Sequence, residues 1–178
     1  MENASRKLVE AALANEDAFA AIVDRHKAMV YSIGYNFFQS RDTAEDIGQD
    51  VFLELFRHLT SIESDVHLTH WLRQATTRKC IDHARWRKSH RVTTLEEAPE
   101  PSVRPAAVDP FMAGALRERI QALPERKRLV VILRFQEEME LEEIAGVLEM
   151  PLNTVKSTLH RALQVLKRRL SVVRSTYG

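Results

Sequence analysis

At 178 residues the chain has room for one ordinary domain or two small ones, which excludes a large multidomain enzyme. Apolar residues at 44%, charged residues at 29%, and only 5 Gly and 6 Pro describe a folded chain with a core rather than a disordered one. The net charge of +1 hides a segregation of sign: residues 42–65 hold seven acids and one Arg, residues 66–91 seven Lys or Arg and one acid, and residues 152–178 six Lys or Arg and no acid.

Two basic segments in a nearly neutral protein suggest two separate contacts with a polyanion, with the acidic surface kept for something else. The first residues, MENASRKLVEAALANEDAF, lack the apolar stretch and cleavage site of a signal peptide, and no apolar run approaches the roughly 20 residues that cross a bilayer. A cytoplasmic protein with no membrane insertion is therefore expected. The single Cys80 agrees with a reducing compartment.

Apolar residues recur at steps of three and four almost throughout, and no strand pair is visible, so the expected fold class is all-α. The first helix is expected from about Glu16 to Phe38, on the period Phe19, Ile22, Val23, His26, Val30, Ile33 and Phe37. A second is expected from about Thr43 to Leu59, on Ile47, Val51, Phe52, Leu55 and Leu59, with Asp42 and Glu45 as its N-cap pairing. On its polar side Asp46, Asp50 and Glu54 stand at i, i+4 and i+8, so like charges line up and repel by a few tenths of a kcal/mol each. A basic partner would relieve that repulsion, although an ordinary solvated face has the same pattern.

A third helix is expected from about Val66 to Lys88. Trp71, Leu72, Ala75, Ile81 and Ala84 can supply its apolar side, while Arg73, Arg78, Lys79, Arg85, Arg87, Lys88 and Arg91 gather toward its end. Basic residues interleaved with Trp86 and several His suit melted or single-stranded nucleic acid, which needs phosphate neutralisation and planar surfaces for stacking. Taken alone, a solvated basic helix explains the segment equally well. The spacings of His67, His70, Cys80 and His83 resemble those of zinc ligands, but on one helix His70 and Cys80 stand about 15 Å apart, too far to share an ion. No metal and no cofactor is expected. With no Gly-rich phosphate loop, nucleophile elbow or paired-carboxylate cleft, catalysis is not expected either.

Pro99, Pro101, Pro105 and Pro110 crowd into residues 92–110, which show neither period and read as a linker between two domains. Beyond it helices are expected near Phe111–Ala122, Pro124–Phe135, Leu141–Leu148 and Leu152–Leu170, with Pro124 at the first helical position. Leu141, Ile144, Ala145 and Leu148 give a short helix one apolar face, Glu149-Met150-Pro151 breaks it, and Val155, Leu159, Ala162, Leu163, Leu166 and Leu170 restart the period. This is a helix-turn-helix pattern, with Glu149 at a turn position commonly held by Gly. A plain helical hairpin is the alternative. With the stripe inward, the second helix turns Asn153, Thr154, Lys156, Ser157, His160 and Arg161 outward near its start, the part that enters a major groove. Lys and Arg can read guanine edges or grip phosphates, and Asn can read adenine.

An acidic amphipathic helix AEDIGQDVFLELFRHL, a Trp-led basic helix WLRQATTRKCIDHARWRKSHR, a proline linker, then ALPERKRLVVILRF and the helix-turn-helix follow one another in this order. The AED-x2-Q-[DE]-x-F and TVKS-x-L-x-RA strings are each quite specific. Over nearly its full length the chain resembles bacterial extracytoplasmic-function (ECF) sigma factors of the sigma-70 family. The resemblance implies two small helical domains: region 2 over residues 1–91, a flexible linker over 92–110, and region 4 over 111–178. It implies an ECF-type sigma factor that binds core RNA polymerase and directs initiation by recognising −35 and −10 promoter elements and helping to melt the latter.

By the same resemblance, Asp46, Gln49, Asp50 and Glu54 would dock on the clamp helices of the β′ subunit. The −10 element would fall to Trp71, Arg78, Lys79, Arg85, Trp86, Arg87, Lys88 and Arg91, with Arg78 where the family often has Asn. The −35 element would fall to Asn153, Thr154, Lys156, Ser157, His160 and Arg161, in a domain that also meets the β flap. A linker of 19 residues spans at most about 60 Å, or roughly 18 base pairs, enough for separate promoter boxes. It would also let an anti-sigma factor clamp the two domains. The alternative is a helix-turn-helix regulator acting on assembled polymerase, against which the amino-terminal half lacks the alternating strands and helices of a sensing domain.

Overall fold

The computed structural model describes residues 16–90 and 110–176, with no strand among them. The chain divides into two compact units, Met1–Val92 and Thr93–Gly178. The linker expected over 92–110 lies outside the described residues except for Pro110, which begins a helix.

In the first unit α1 (Glu16–Phe38), α2 (Arg41–His58) and α3 (Asp65–Ser89) pack on one another, with one turn of 3-10 helix at Leu59–Ser61. Ile22, Val30, Ile33 and Phe37 of α1 are buried against Ala44, Ile47, Val51 and Leu55 of α2 and Leu68, Leu72, Ala75 and Cys80 of α3. α1 and α2 approach closely at Gly34, where a Cβ would stand 3.3 Å from the Ala44 Cα. The connection between them turns at Gln39, whose φ of 55° is left-handed and whose N–H bonds back to the Tyr35 carbonyl at 2.7 Å.

That turn moves the N-cap. Ser40, not Asp42, is the capping residue of α2: its backbone is extended, its hydroxyl accepts from the Thr43 N–H at 3.3 Å, and Asp42 falls inside the first turn. Ser64 caps α3 in the same way, accepting from the His67 N–H at 3.1 Å. The start of α3 is tied to α1 by the Arg25 guanidinium, which holds both oxygens of Asp65 at 3.1 and 2.6 Å.

The second unit contains α4 (Pro110–Gln121), α5 (Glu125–Phe135), α6 (Leu141–Val147) and α7 (Leu152–Thr176). Leu123, Leu129–Leu133, Met139, Ile144, Val147, Val155, Ala162 and Leu166 form its interior. Pro124 lies one position before the helix and not at its first position: its ψ of 145° is still extended, and its carbonyl accepts the Arg128 N–H at 3.0 Å. The Arg128 guanidinium turns back to the end of α4, donating to the Gln121 and Leu123 carbonyls and to the Gln121 side chain.

Glu140 and Glu143 form a reciprocal capping box at the start of α6. The turn after the helix passes through Glu149 in the left-handed region, φ 51°, with the Met150 N–H bonded to the Ala145 carbonyl at 2.9 Å. Pro151 follows, and its carbonyl accepts from Thr154 and Val155 to open α7. The helix-turn-helix break is thus built by one left-handed Glu and one Pro. Among the described residues no helix is long and apolar enough to cross a membrane.

Candidate nucleic-acid and docking surfaces

Helix α7 presents two unlike faces. Val155, Ala162 and Leu166 are buried, and Leu159 packs against the cluster of Leu123, Val131, Ala162 and Leu166. Asn153, Thr154, Lys156, His160 and Arg161 are exposed on the other side. Ser157 is half-buried, and its hydroxyl donates to the Thr154 carbonyl at 3.1 Å, so it faces outward mainly as an acceptor. His160 is hydrogen-bonded to Gln164 at 2.9 Å. All the residues expected to read −35 DNA therefore stand together on the first turns of one acid-free helix.

The residues expected on −10 DNA are more dispersed. Trp71 is half-buried against the His58 ring at 5.9 Å, and Trp86 is 57% exposed fifteen positions further on. A helical rise of about 1.5 Å per residue separates them by about 22 Å, so they are not parts of one contact. Arg78, Arg85, Arg87 and Lys88 are exposed, Lys79 is partly so, and Arg91 lies outside the described residues. Trp86 is flanked by His90, stacked at 4.8 Å, and by His83 at 6.1 Å. His90 is itself fixed at the helix end, where its N–H meets the Trp86 carbonyl at 3.0 Å.

On α2, Asp46, Gln49 and Asp50 are exposed opposite the buried Ile47, Val51 and Leu55. Glu54 departs from the row: its carboxylate holds the Lys79 ammonium at 3.1 Å. Beside the row lies an apolar groove of about 510 Å³ lined by Phe19, Gln49, Phe52, Leu53 and Phe56. Leu53 and Phe56 are 58% and 60% exposed, and the Phe19 and Phe56 rings meet edge to face at 5.3 Å. The sequence carried a signal for this groove, since Phe52, Leu53 and Phe56 are more apolar residues than one stripe of α2 can bury.

Two histidines in the first unit have pKa values lowered below the usual one. His26 is buried beside Arg25 and Arg73, and its Nε2 finds no hydrogen-bond partner among the described residues. Burial, then Arg25, pushes its pKa below the usual value, with Asp65 opposing and Arg73 adding to the fall. His83, against Phe38 at 5.1 Å, is lowered by burial and Arg87, with Asp46 and Asp50 opposing. A lowered folded pKa means the unfolded chain binds more protons below about pH 6.5, so stability is full above that pH and declines as pH falls through the window to the folded values. Urea unfolding followed by tryptophan fluorescence isolates this unit, because Trp71 and Trp86 both lie in α3. The midpoint should drop between pH 7.5 and 5.5, and His26→Gln should flatten the drop. A midpoint that rises on acidification would contradict the assignment.

Comparison with known proteins assigns the family. A model of sigma-70 region 2 matches residues 22–90, and a model of sigma-70 region 4 matches residues 113–166. The RNA polymerase sigma-E factor of Streptomyces coelicolor is 33% identical, the match covering 71% of each chain. The chain belongs to the sigma-70 family. Within it the chain falls among the ECF sigma factors: the ECF sigma factor SigW of Bacillus subtilis is 28% identical over 88% of this chain and 90% of its own length. Two solved structures share the fold. CnrH in complex with the cytosolic domain of CnrY superposes with a TM-score of 0.70 at 22% identity, covering 95% of this chain and 98% of that one. The sigma factor RpoE in complex with the anti-sigma factor NepR, from Bartonella quintana, gives 0.70 at 20% identity over 86% and 97%. As an ECF sigma factor the chain serves promoter-specific initiation by RNA polymerase and is a transcription regulator rather than an enzyme.

Proposed function

We propose that this sigma factor recognises the −35 element through α7 and binds and helps to melt the −10 element through α3, while α2 docks on the β′ clamp helices of core polymerase. The observation that carries the reading is the grouping of Asn153, Thr154, Lys156, Ser157, His160 and Arg161 on one outward face of α7 behind a helix-turn-helix break. In the first unit, Arg78, Lys79, Arg85, Trp86, Arg87 and Lys88 would hold the backbone and bases of the melted strand, with Trp71 as a separate contact toward the start of α3 and Arg91 continuing the basic run. Asp46, Gln49, Asp50 and Glu54, with the Phe19–Phe56 groove beside them, would form the docking face, where an apolar anchor from a basic partner helix fits both chemistries.

Region 2 would extend over residues 1–91 and region 4 over 111–178, the latter meeting the β flap. Residues 92–110 would join them across the promoter spacer. An anti-sigma factor is a fitting regulator, since two fold relatives were solved with such partners or with a cytosolic domain bound. The match to region 2 over residues 22–90 favours this reading over a regulator that acts on assembled polymerase.

Selection of −35 sequences from a randomised promoter pool tests the reading at α7. A base-reading side chain contributes about 1–3 kcal/mol of discrimination, whereas a phosphate contact weakens all sequences alike. Lys156→Ala and Arg161→Ala should relax −35 preference by about tenfold at the bases they read, with −10 preference unchanged. Identical selected sequences for wild type and both variants would mean that this face does not read bases.

A further inference from the structure

Glu54 and Lys79 belong to opposite halves of the proposed reading, the carboxylate to the polymerase-docking row of α2 and the ammonium to the strand-binding surface of α3. In the free chain they hold each other at 3.1 Å, with side chains 37% and 34% exposed. The contact joins two helices and is not a local pair along one of them. One turn further along α3, burial lowers the pKa of His83, and the charges of Asp46 and Asp50 oppose that fall. The acidic face of α2 and the basic face of α3 therefore share a seam.

An ammonium shared with a carboxylate is a poor phosphate ligand, because the carboxylate brings a like charge toward the phosphate. A polymerase cation competing for Glu54 meets the same obstacle from the other side. We infer that the Glu54–Lys79 ion pair is a latch coupling polymerase docking to promoter-strand contact: a cation of core polymerase that takes the Glu54 carboxylate releases the Lys79 ammonium to a strand phosphate. The inference rests on the two surfaces proposed above. Linkage makes it reciprocal, so strand binding at Lys79 frees Glu54 for polymerase. A partly exposed pair of this kind accounts for about a two- to fivefold effect on either affinity.

The test uses the full chain, a labelled single-stranded oligothymidylate and purified core polymerase. Glu54→Gln should tighten oligothymidylate binding about two- to fivefold and steepen the slope of log affinity against log salt by about 0.7, one added phosphate contact. In a Lys79→Gln background the same change should do nothing. Glu45→Gln removes the same charge about 13 Å up α2 and should not reproduce the change in slope. Toward core polymerase the signs reverse: Lys79→Gln should tighten binding and Glu54→Gln should weaken it, an opposition that a merely structural ion pair does not produce. Thermal melts by circular dichroism establish that each variant is folded. If wild type binds the strand and Glu54→Gln changes nothing, or if its gain persists without Lys79, the latch is wrong and the surfaces stand. If wild type and Glu54→Gln alike fail to bind the strand, the strand-binding reading falls and the latch with it.

Discussion

Reversing two charges on α2, Asp46→Lys with Asp50→Lys, should lower affinity for core polymerase by at least about thirtyfold, since losing one partner of a desolvated interfacial charge pair costs about 2–5 kcal/mol. The reversal adds repulsion to the loss. Both side chains are exposed, and the core residues Ile47, Val51 and Leu55 on the opposite face are untouched, so the helix itself should survive. The paired change Asp46→Asn with Asp50→Asn separates the two contributions, because it removes attraction without adding repulsion and should fall between wild type and the reversal. Fluorescence anisotropy of the labelled chain titrated with core polymerase measures all three. Unchanged affinity in a reversal that keeps wild-type helicity would remove α2 from the interface.

The second large effect is structural. Val155, in the first turn of α7, is wholly buried. An aspartate there must either stay charged without a partner or take up a proton, and either course costs several kcal/mol. A region of some 60 residues has only about 3–9 kcal/mol of stability to lose. Val155→Asp should therefore unfold the second unit and abolish −35 binding, while Lys156→Ala, one residue away but exposed, should leave the melt unchanged. Limited proteolysis distinguishes the outcomes: rapid loss of the second unit with survival of the first is expected. A variant as resistant as wild type would show that α7 is not seated through Val155.

Periodicity made α1 legible as far as its end at Phe38, because Ile22, Val30, Ile33 and Phe37 share one face and are all buried. The helix-turn-helix was equally legible, since Pro151 and the restart at Val155 mark where one helix stops and the next begins. Caps were harder. Ser40 and Asp42 are both good capping residues, and the choice between them is made by the left-handed turn at Gln39, a conformation that a Gln does not advertise. The capping box of Glu140 and Glu143 was hidden for a related reason, as Glu is a less usual N-cap than Ser or Asp.

The candidate surfaces divide along the same line. The outward face of α7 follows from its own period, so all six residues could be placed from sequence alone. The surplus of Phe52, Leu53 and Phe56 on α2 signals an apolar surface, but the Glu54–Lys79 pair and the closing of the groove by Phe19 depend on how α2 sits against α3 and α1, which no single-helix pattern specifies. Trp71 and Trp86 illustrate the limit from the other side, since one basic helix carried both in sequence but the helix length keeps them apart.

The central claim is that this chain, bound to core polymerase, chooses where transcription begins. Run-off transcription tests it directly, using purified core polymerase, the full chain, and linear templates recovered from the randomised promoter pool. A discrete run-off transcript is expected with wild type, none with core polymerase alone, and none with Val155→Asp or the Asp46→Lys, Asp50→Lys reversal. A chain that binds those templates and core polymerase yet yields no transcript beyond that of core alone would contradict the account.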